Sequence, residues 1–189
     1  MAAREKIFNV PNLISFYRLA SFPFILWMIH TGRQELFAIF FCINLVSDIL
    51  DGLIARLFRI STQFGARLDS IADITLFLSA IYGILKFKWA DLGPYSTSLW
   101  IAVGVYLMTL VVSYLRFGKY PSLHLYSAKI GAYVQGFFFF VLFIWGFYRW
   151  LFVLAFVSGV GSWIEEIVVL MILKEMKSNS RGLFWVFKK

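Results

Sequence analysis

Four aspartates between positions 48 and 73 stand in a segment that is otherwise apolar. They fall as Asp48-x-x-Asp51-Gly52-x-x-Ala55-Arg56, then eight residues, then Gly65-x-x-x-Asp69-x-x-x-Asp73. Phe40, Phe41, Ile43, Leu45 and Val46 precede them, and Ile74, Leu76, Phe77 and Leu78 follow. Each aspartate at a bilayer centre costs about 2.5–3.5 kcal/mol to insert. A chain that carries four of them there uses them, because intramembrane ionisable groups mark functional sites by default. Two carboxylates from each of two helices make a hard, all-oxygen site suited to Mg²⁺ or Mn²⁺.

The spacing supports that chemistry. An α-helix turns about 100° per residue, which places Asp51, Gly52, Ala55 and Arg56 within about 80° of Asp48 on one face. Asp69 and Asp73 are four apart and share a face of the next helix. The short connection makes the two helices antiparallel neighbours, so the acid pairs can converge. Gly52 and Ala55 leave room for a ligand to approach the backbone, and Arg56 offers a planar fork for phosphate. Thr62 and Gly65 add a hydroxyl and a free N–H in the connecting turn. Acids, metal, arginine and small residues together describe a diphosphate site. The bland alternative is an internal salt-bridge network with Arg56, Arg59 and Arg67, which leaves the glycine and alanine placement unexplained.

The elements that position these groups must be membrane helices. Of the 189 residues 61% are hydrophobic and 20% aromatic, and the mean hydropathy is +0.79. Soluble domains carry about 45–50% apolar residues. The expected fold is all-α and polytopic, a single membrane domain over 1–189 with six transmembrane helices. Apolar runs of roughly the 20 residues a span needs fall at 13–30, 36–57, 66–87, 97–115, 128–148 and 150–173. Thr31-Gly32-Arg33, Arg59 to Phe64, Lys88 to Ser96 and Gly118 to His124 separate them, and the weakest join is Gly146 to Trp150. Arg4 to Val10 reads as a short interfacial segment rather than part of a cleaved signal, with Pro11-Asn12 breaking the chain before the first span.

Charge sets the orientation. With six spans, Arg4, Lys6, Arg56, Arg59, Arg67, Arg116, Lys119, Lys129 and the five basic residues of the tail share one side. Arg33, Lys86, Lys88 and Arg149 lie on the other. The positive-inside rule then puts both termini, and the acid cluster, on the cytoplasmic side. The net charge of +8 is spread over helix ends, as attraction to anionic lipid requires, so nucleic acid is not an expected partner. Cys42 is a lone cysteine, which excludes an internal disulfide.

The string from Asp48 to Asp73 resembles the signature of the CDP-alcohol phosphotransferase family, matching every defining position and both gap lengths. The resemblance extends to Val10-Pro11-Asn12-Leu13-Ile14-Ser15, to Arg18 and to the six-span layout. It implies that the protein displaces CMP from a CDP-linked lipid such as CDP-diacylglycerol with a small polar alcohol, using Mg²⁺ or Mn²⁺, two ions per site. It further implies Asp48, Asp51, Asp69 and Asp73 as metal ligands, with Asp73 also the general base. Gly52, Ala55, Arg56, Thr62, Gly65, Pro11, Asn12 and Ser15 would meet the CDP portion. Homodimers are common in the family, which the residues neither support nor oppose, and a prokaryotic inner or plasma membrane is the expected location.

The acceptor stays open. Ile74 follows Asp73 where glycerol-phosphate users often carry lysine, and Leu68 to Asp73 is similar to serine users. The N-terminal segment with Arg18 is more similar to the glycerol-phosphate group, so glycerol 3-phosphate is preferred over serine or inositol (phosphate). Arg116 and Lys129 are the candidates for a phosphate on the acceptor. Glu165 and Glu166 fall inside the sixth span, where an ion pair with Arg18 or Lys129 is expected for one of them. The rival of another class is a cation-coupled transporter, which ordinarily shows repeated halves; all four acids here sit in one helix pair.

Overall fold

In the computed structural model the described residues are 9–58, 60, 62–118 and 125–173. They are almost wholly helical and contain no strand. The long helices are α1 (Val10–His30), α2 (Gln34–Phe58), α3 (Gln63–Gly83), α5 (Ser96–Phe117), α6 (Tyr126–Ile144) and α7 (Arg149–Ile172). A one-turn helix, α4 (Trp89–Leu92), lies between a π-helical turn at Ile84–Lys88 and a 3₁₀ turn at Gly93–Tyr95. Residues 1–8, which include most of the expected interfacial segment, lie outside the described residues.

Helix α1 begins earlier than expected. Asn9 adopts an extended conformation and its Oδ1 accepts the Asn12 N–H at 2.9 Å, an N-cap. Pro11 sits in the first turn, where a missing N–H costs nothing. Pro11-Asn12 therefore starts the helix instead of breaking the chain before it.

Five stretches are long and apolar enough to cross a membrane: Val10–His30, Gln34–Ala55, Phe64–Phe117, Tyr126–Ile144 and Arg149–Ile172. The expectation of six is corrected at one place. Lys88 to Ser96 does not open into a loop. Helical turns continue through it, so α3 and α5 fall in one stretch of 54 residues. At about 1.5 Å rise per residue that stretch is more than twice the roughly 30 Å hydrocarbon core. Each of α3 and α5 is of spanning length by itself. Gly93, at φ +46°, interrupts the right-handed path between them, a conformation that glycine adopts without a Cβ penalty. The weak join at Gly146 is a true break: Gly146 takes φ +118° and α7 starts afresh at Arg149. The chain is an integral, multi-pass membrane protein.

The chain divides into two compact units, Met1–Ala90 and Asp91–Lys189. In the first, α1 packs extensively along both α2 and α3, while α2 and α3 touch each other less. Phe37, Phe41, Ile25, Ile29 and Ala80 fill its interior, with the Phe37 ring 5.5 Å from Phe41 and 5.6 Å from Phe87. In the second unit α7 packs on both α5 and α6. Leu125, Val169 and Leu170 form a buried cluster against Val112, Phe117, Ala128 and Leu173. Gly131 on α6 faces Ser158 and Ser162 on α7, and Gly159 on α7 faces Gln135. Small residues at such crossings let membrane helices approach closely. The outward faces carry Leu13, Phe16, Ile39, Ile71, Met108, Phe137 and Val157, all exposed, as lipid contact requires.

Candidate metal and diphosphate site

The site is built where α1 lies against α2 and α3. Asp48 and Asp51 come from α2, Asp69 and Asp73 from α3, and between them α1 places Arg18. The Arg18 Nη1 lies 2.6 Å from Asp48 Oδ1, 3.4 Å from Asp51 Oδ2 and 3.1 Å from Asp69 Oδ1. Its Nη2 lies 2.7 Å from Asp73 Oδ1. One guanidinium thus joins all four expected metal ligands. The acids grade outward: the side chain of Asp51 is 5% exposed, Asp48 36%, Asp69 42% and Asp73 52%. Asp73 is the most exposed of the four.

Arg18 is almost fully buried, and its Nε has no hydrogen-bond partner among the described residues. A buried charge is tolerable only when paired, which the aspartates provide. The reverse does not balance, since one guanidinium faces four carboxylates. Oxygens of Asp48, Asp51 and Asp69 lie within 4.8 Å of one another, an arrangement that can hold a metal ion. The donor set is all carboxylate, as hard cations prefer, and the surplus negative charge calls for more cation than Arg18 supplies. The residues fit the group.

A polar ladder on α1 aims this cluster. Asn9, Asn12, Ser15, Arg18 and Ser21 recur every third residue, a stripe that winds about 60° round the helix at each step. The Ser15 hydroxyl contacts Asp51 Oδ2 and the Pro11 carbonyl, each at 3.2 Å. The Ser21 hydroxyl lies 2.8 Å from Asn44 Oδ1, and Asn44 Nδ2 donates to the Phe40 carbonyl at 2.8 Å. Both contacts across the α1–α2 seam are buried. Sequence reasoning missed Arg18 as the partner of the acids, and Ser21, Asn44 and Asn9 as supports. The every-third-residue polar spacing in an apolar helix was the signal that could have found the residues on α1.

The N-terminal end of this stripe holds the α2–α3 connection. Asn9 Nδ2 donates to the Ile60 carbonyl at 3.2 Å, and Asn12 Nδ2 to Thr62 Oγ1 at 3.2 Å. Thr62 N-caps α3, its hydroxyl accepting the Gly65 N–H at 3.0 Å. A Cβ on Gly65 would collide with Asn12 Oδ1, so glycine is required for this closure. Pro11, Asn12, Ser15, Thr62 and Gly65 are therefore gathered at the connection and the acids, while Gly52 and Ala55 are half-buried on α2 beside Asp51. The Arg56 side chain, and Arg59, lie outside the described residues. Arg67 is exposed.

Arg116 and Lys129 belong to the second unit. Both are exposed; Arg116 Nη2 donates to the Leu173 carbonyl at 3.2 Å, and the Lys129 ammonium lies 5.9 Å from the Tyr126 ring centre. The expected pairing of Arg18 with Glu165 or Glu166 gives way to the aspartates, because α1 packs against α2 and α3 with Arg18 facing their acids. Glu166 is buried on α7. Lys119, His124 and Lys174 lie outside the described residues.

Known proteins resemble this chain in sequence. A cardiolipin synthase (CMP-forming)/mitochondrial hydrolase fusion protein of Schizosaccharomyces pombe is 34% identical over 119 residues, 63% of this chain and 20% of that protein. A probable phosphatidylglycerophosphate synthase of Mycobacterium tuberculosis is 29% identical over 141 residues, 71% of this chain and 66% of the relative. The CDP-diacylglycerol–glycerol-3-phosphate 3-phosphatidyltransferase of Escherichia coli K12 is 38% identical over 72 residues, 36% of this chain and 40% of the relative. The chain thus spans less than two thirds of the length of these curated relatives. No solved structure matches it. The profile of the CDP-alcohol phosphatidyltransferases matches residues 8–172, nearly the whole chain and the entire acid site, and the protein belongs to that family.

Proposed function

We propose that the chain transfers a phosphatidyl group from CDP-diacylglycerol to a small polar alcohol and releases CMP, with glycerol 3-phosphate as the acceptor. The observation that carries this reading is the convergence of Asp48, Asp51, Asp69 and Asp73 on one point beside the Asn12–Thr62–Gly65 connection. The names of the Mycobacterium and Escherichia relatives support the acceptor, and the fission-yeast relative's name supports CMP as the product. Serine or inositol (phosphate) is the alternative acceptor, favoured by Ile74 after Asp73.

In this reading Asp48, Asp51, Asp69 and Asp73 would hold two Mg²⁺ or Mn²⁺ ions, and such ions would supply positive charge to the diphosphate and to the departing CMP oxygen. Asp51, buried and contacted by Ser15, anchors the site. Gly52 and Ala55 admit the diphosphate to the face of α2, with Arg56 and Thr62 contacting it and Pro11, Asn12 and Ser15 lining the nucleotide end. Asp73 takes the proton of the acceptor hydroxyl as its oxygen bonds to the lipid phosphorus. The bond from that phosphorus to the bridging oxygen breaks, and CMP leaves with the electron pair. Arg116 and Lys129 are the cations proposed for an acceptor phosphate. The Lys/Arg distribution supports both termini and the site on the cytoplasmic side. We take the chain as one catalytic domain of a prokaryotic inner or plasma membrane; a homodimer is the assembly that the family resemblance implies.

Purified protein incubated with CDP-diacylglycerol, Mn²⁺ and a panel of alcohols, with CMP measured, tests the reading. CMP release that depends on glycerol 3-phosphate supports it. Release with serine or inositol alone transfers the assignment to the alternative acceptor, and no release with any alcohol supports a cation-coupled transporter.

A further inference from the structure

Arg18 Nη1 and a metal ion would occupy the same space. Nη1 lies 2.6–3.4 Å from oxygens of Asp48, Asp51 and Asp69, the three acids whose oxygens are close enough to share an ion. Divalent hard cations sit about 2.0–2.6 Å from their oxygen ligands, so an ion bound to all three has no room beside Nη1. Arginine cannot resolve the conflict by losing a proton, because it remains charged in proteins. Its backbone is held in place by the contacts of Ser15 and Ser21, one turn to either side, with α2. The side chain must therefore move, and its Nε has no hydrogen-bond partner among the described residues to hold it.

We propose that Arg18 is a tethered counter-cation, one that keeps the four acids assembled before a divalent ion binds and swings off Asp48, Asp51 and Asp69 as the ion loads. The aspartates otherwise repel one another across the α2–α3 gap, and Arg18 bridges both helices. Metal affinity is then set by competition: the ion must displace a cation already bonded to its ligands.

The proposal rests on the site being a metal centre and predicts a gain of binding when Arg18 is removed. In the purified full chain in detergent, Mn²⁺ affinity is read by electron paramagnetic resonance and stability by thermal unfolding in EDTA and in Mn²⁺. Arg18→Met should bind Mn²⁺ at least tenfold more tightly, melt lower than the wild type in EDTA, and recover more of its stability when Mn²⁺ is added. Arg18→Lys should fall between. Equal or weaker Mn²⁺ affinity in both variants, with the same melting loss in EDTA and Mn²⁺, overturns the proposal and leaves Arg18 a structural ion pair. Should Arg18→Met not fold, wild-type protein with ¹⁵N-labelled arginine decides: its slowly exchanging buried guanidinium signal should shift with Mg²⁺ saturation, and an unmoved signal overturns the proposal. No Mn²⁺ bound by the wild type fells the metal-centre reading too, whereas unchanged affinity fells this inference alone.

Discussion

The carboxamide oxygen of Asn12 lies in the space that a β-carbon on residue 65 would fill, so α1 closes over the start of α3 only because position 65 is glycine. The same Asn12 donates to Thr62, which caps α3. Gly65→Ala must push these groups apart. Overpacking of this kind costs about 1–3 kcal/mol. Thermal unfolding in detergent should show that loss together with a raised KM for CDP-lipid. Adding Asn12→Ala should return part of the stability, a coupling a double-mutant cycle reads directly.

One turn along from Arg18, the Ser21–Asn44 contact fixes how α1 lies on α2. Side-chain hydrogen bonds between membrane helices average about 0.6 kcal/mol and reach about 1.7. Asn44→Leu should therefore lower stability by about 1 kcal/mol. Ser21→Ala added to it should cost little more, because the same bond is already gone. Unfolding measured for the two single variants and the double variant checks this.

What was legible in the sequence follows from helix geometry. The spacing of Asp48, Asp51, Asp69 and Asp73 is read against a fixed turn per residue, so the convergence of the acids needed only two helices and a short connection. Hydrophobic length located every long helix to within a few residues, and Gly146 marked the weak join. Arg18 belongs to the stretch that carries the family resemblance, yet spacing alone does not name its partners. Which helices α1 packs between is a tertiary fact, and a long side chain can be aimed only once that is known. Lys88 to Ser96 misled for a different reason: charge, glycine and proline suggest a loop, but Pro94 is tolerated in the first turn of a 3₁₀ helix, and short helical turns on either side of Gly93 take the loop's place.

Metal removal should stop the reaction. EDTA should abolish CMP release and Mg²⁺ or Mn²⁺ restore it. Asp51→Asn should weaken Mn²⁺ binding at least tenfold, because water reaches the most buried of the four acids least readily. Electron paramagnetic resonance titration of bound Mn²⁺ checks the prediction, and wild-type affinity in Asp51→Asn contradicts it.

The second unit offers a control on stability without chemistry. A Cβ on Gly131 would lie 3.0 Å from Ser162 Oγ and 3.1 Å from the Ser158 carbonyl oxygen, and the carbonyl is backbone that cannot turn aside. Gly131→Ala should destabilise the α6–α7 pair by about 1–3 kcal/mol. Mn²⁺ affinity at the aspartates should stay at the wild-type value, measured below the melting temperature.

On the proposed mechanism Asp73, the most exposed of the four acids, accepts the proton of the attacking alcohol. The direct measurement is CMP release by Asp73→Asn with CDP-diacylglycerol, Mn²⁺ and glycerol 3-phosphate, alongside CDP-diacylglycerol binding. Release should fall by about 10²–10⁴-fold, the range of a lost general base, while binding is largely kept. Turnover within tenfold of the wild type would contradict it.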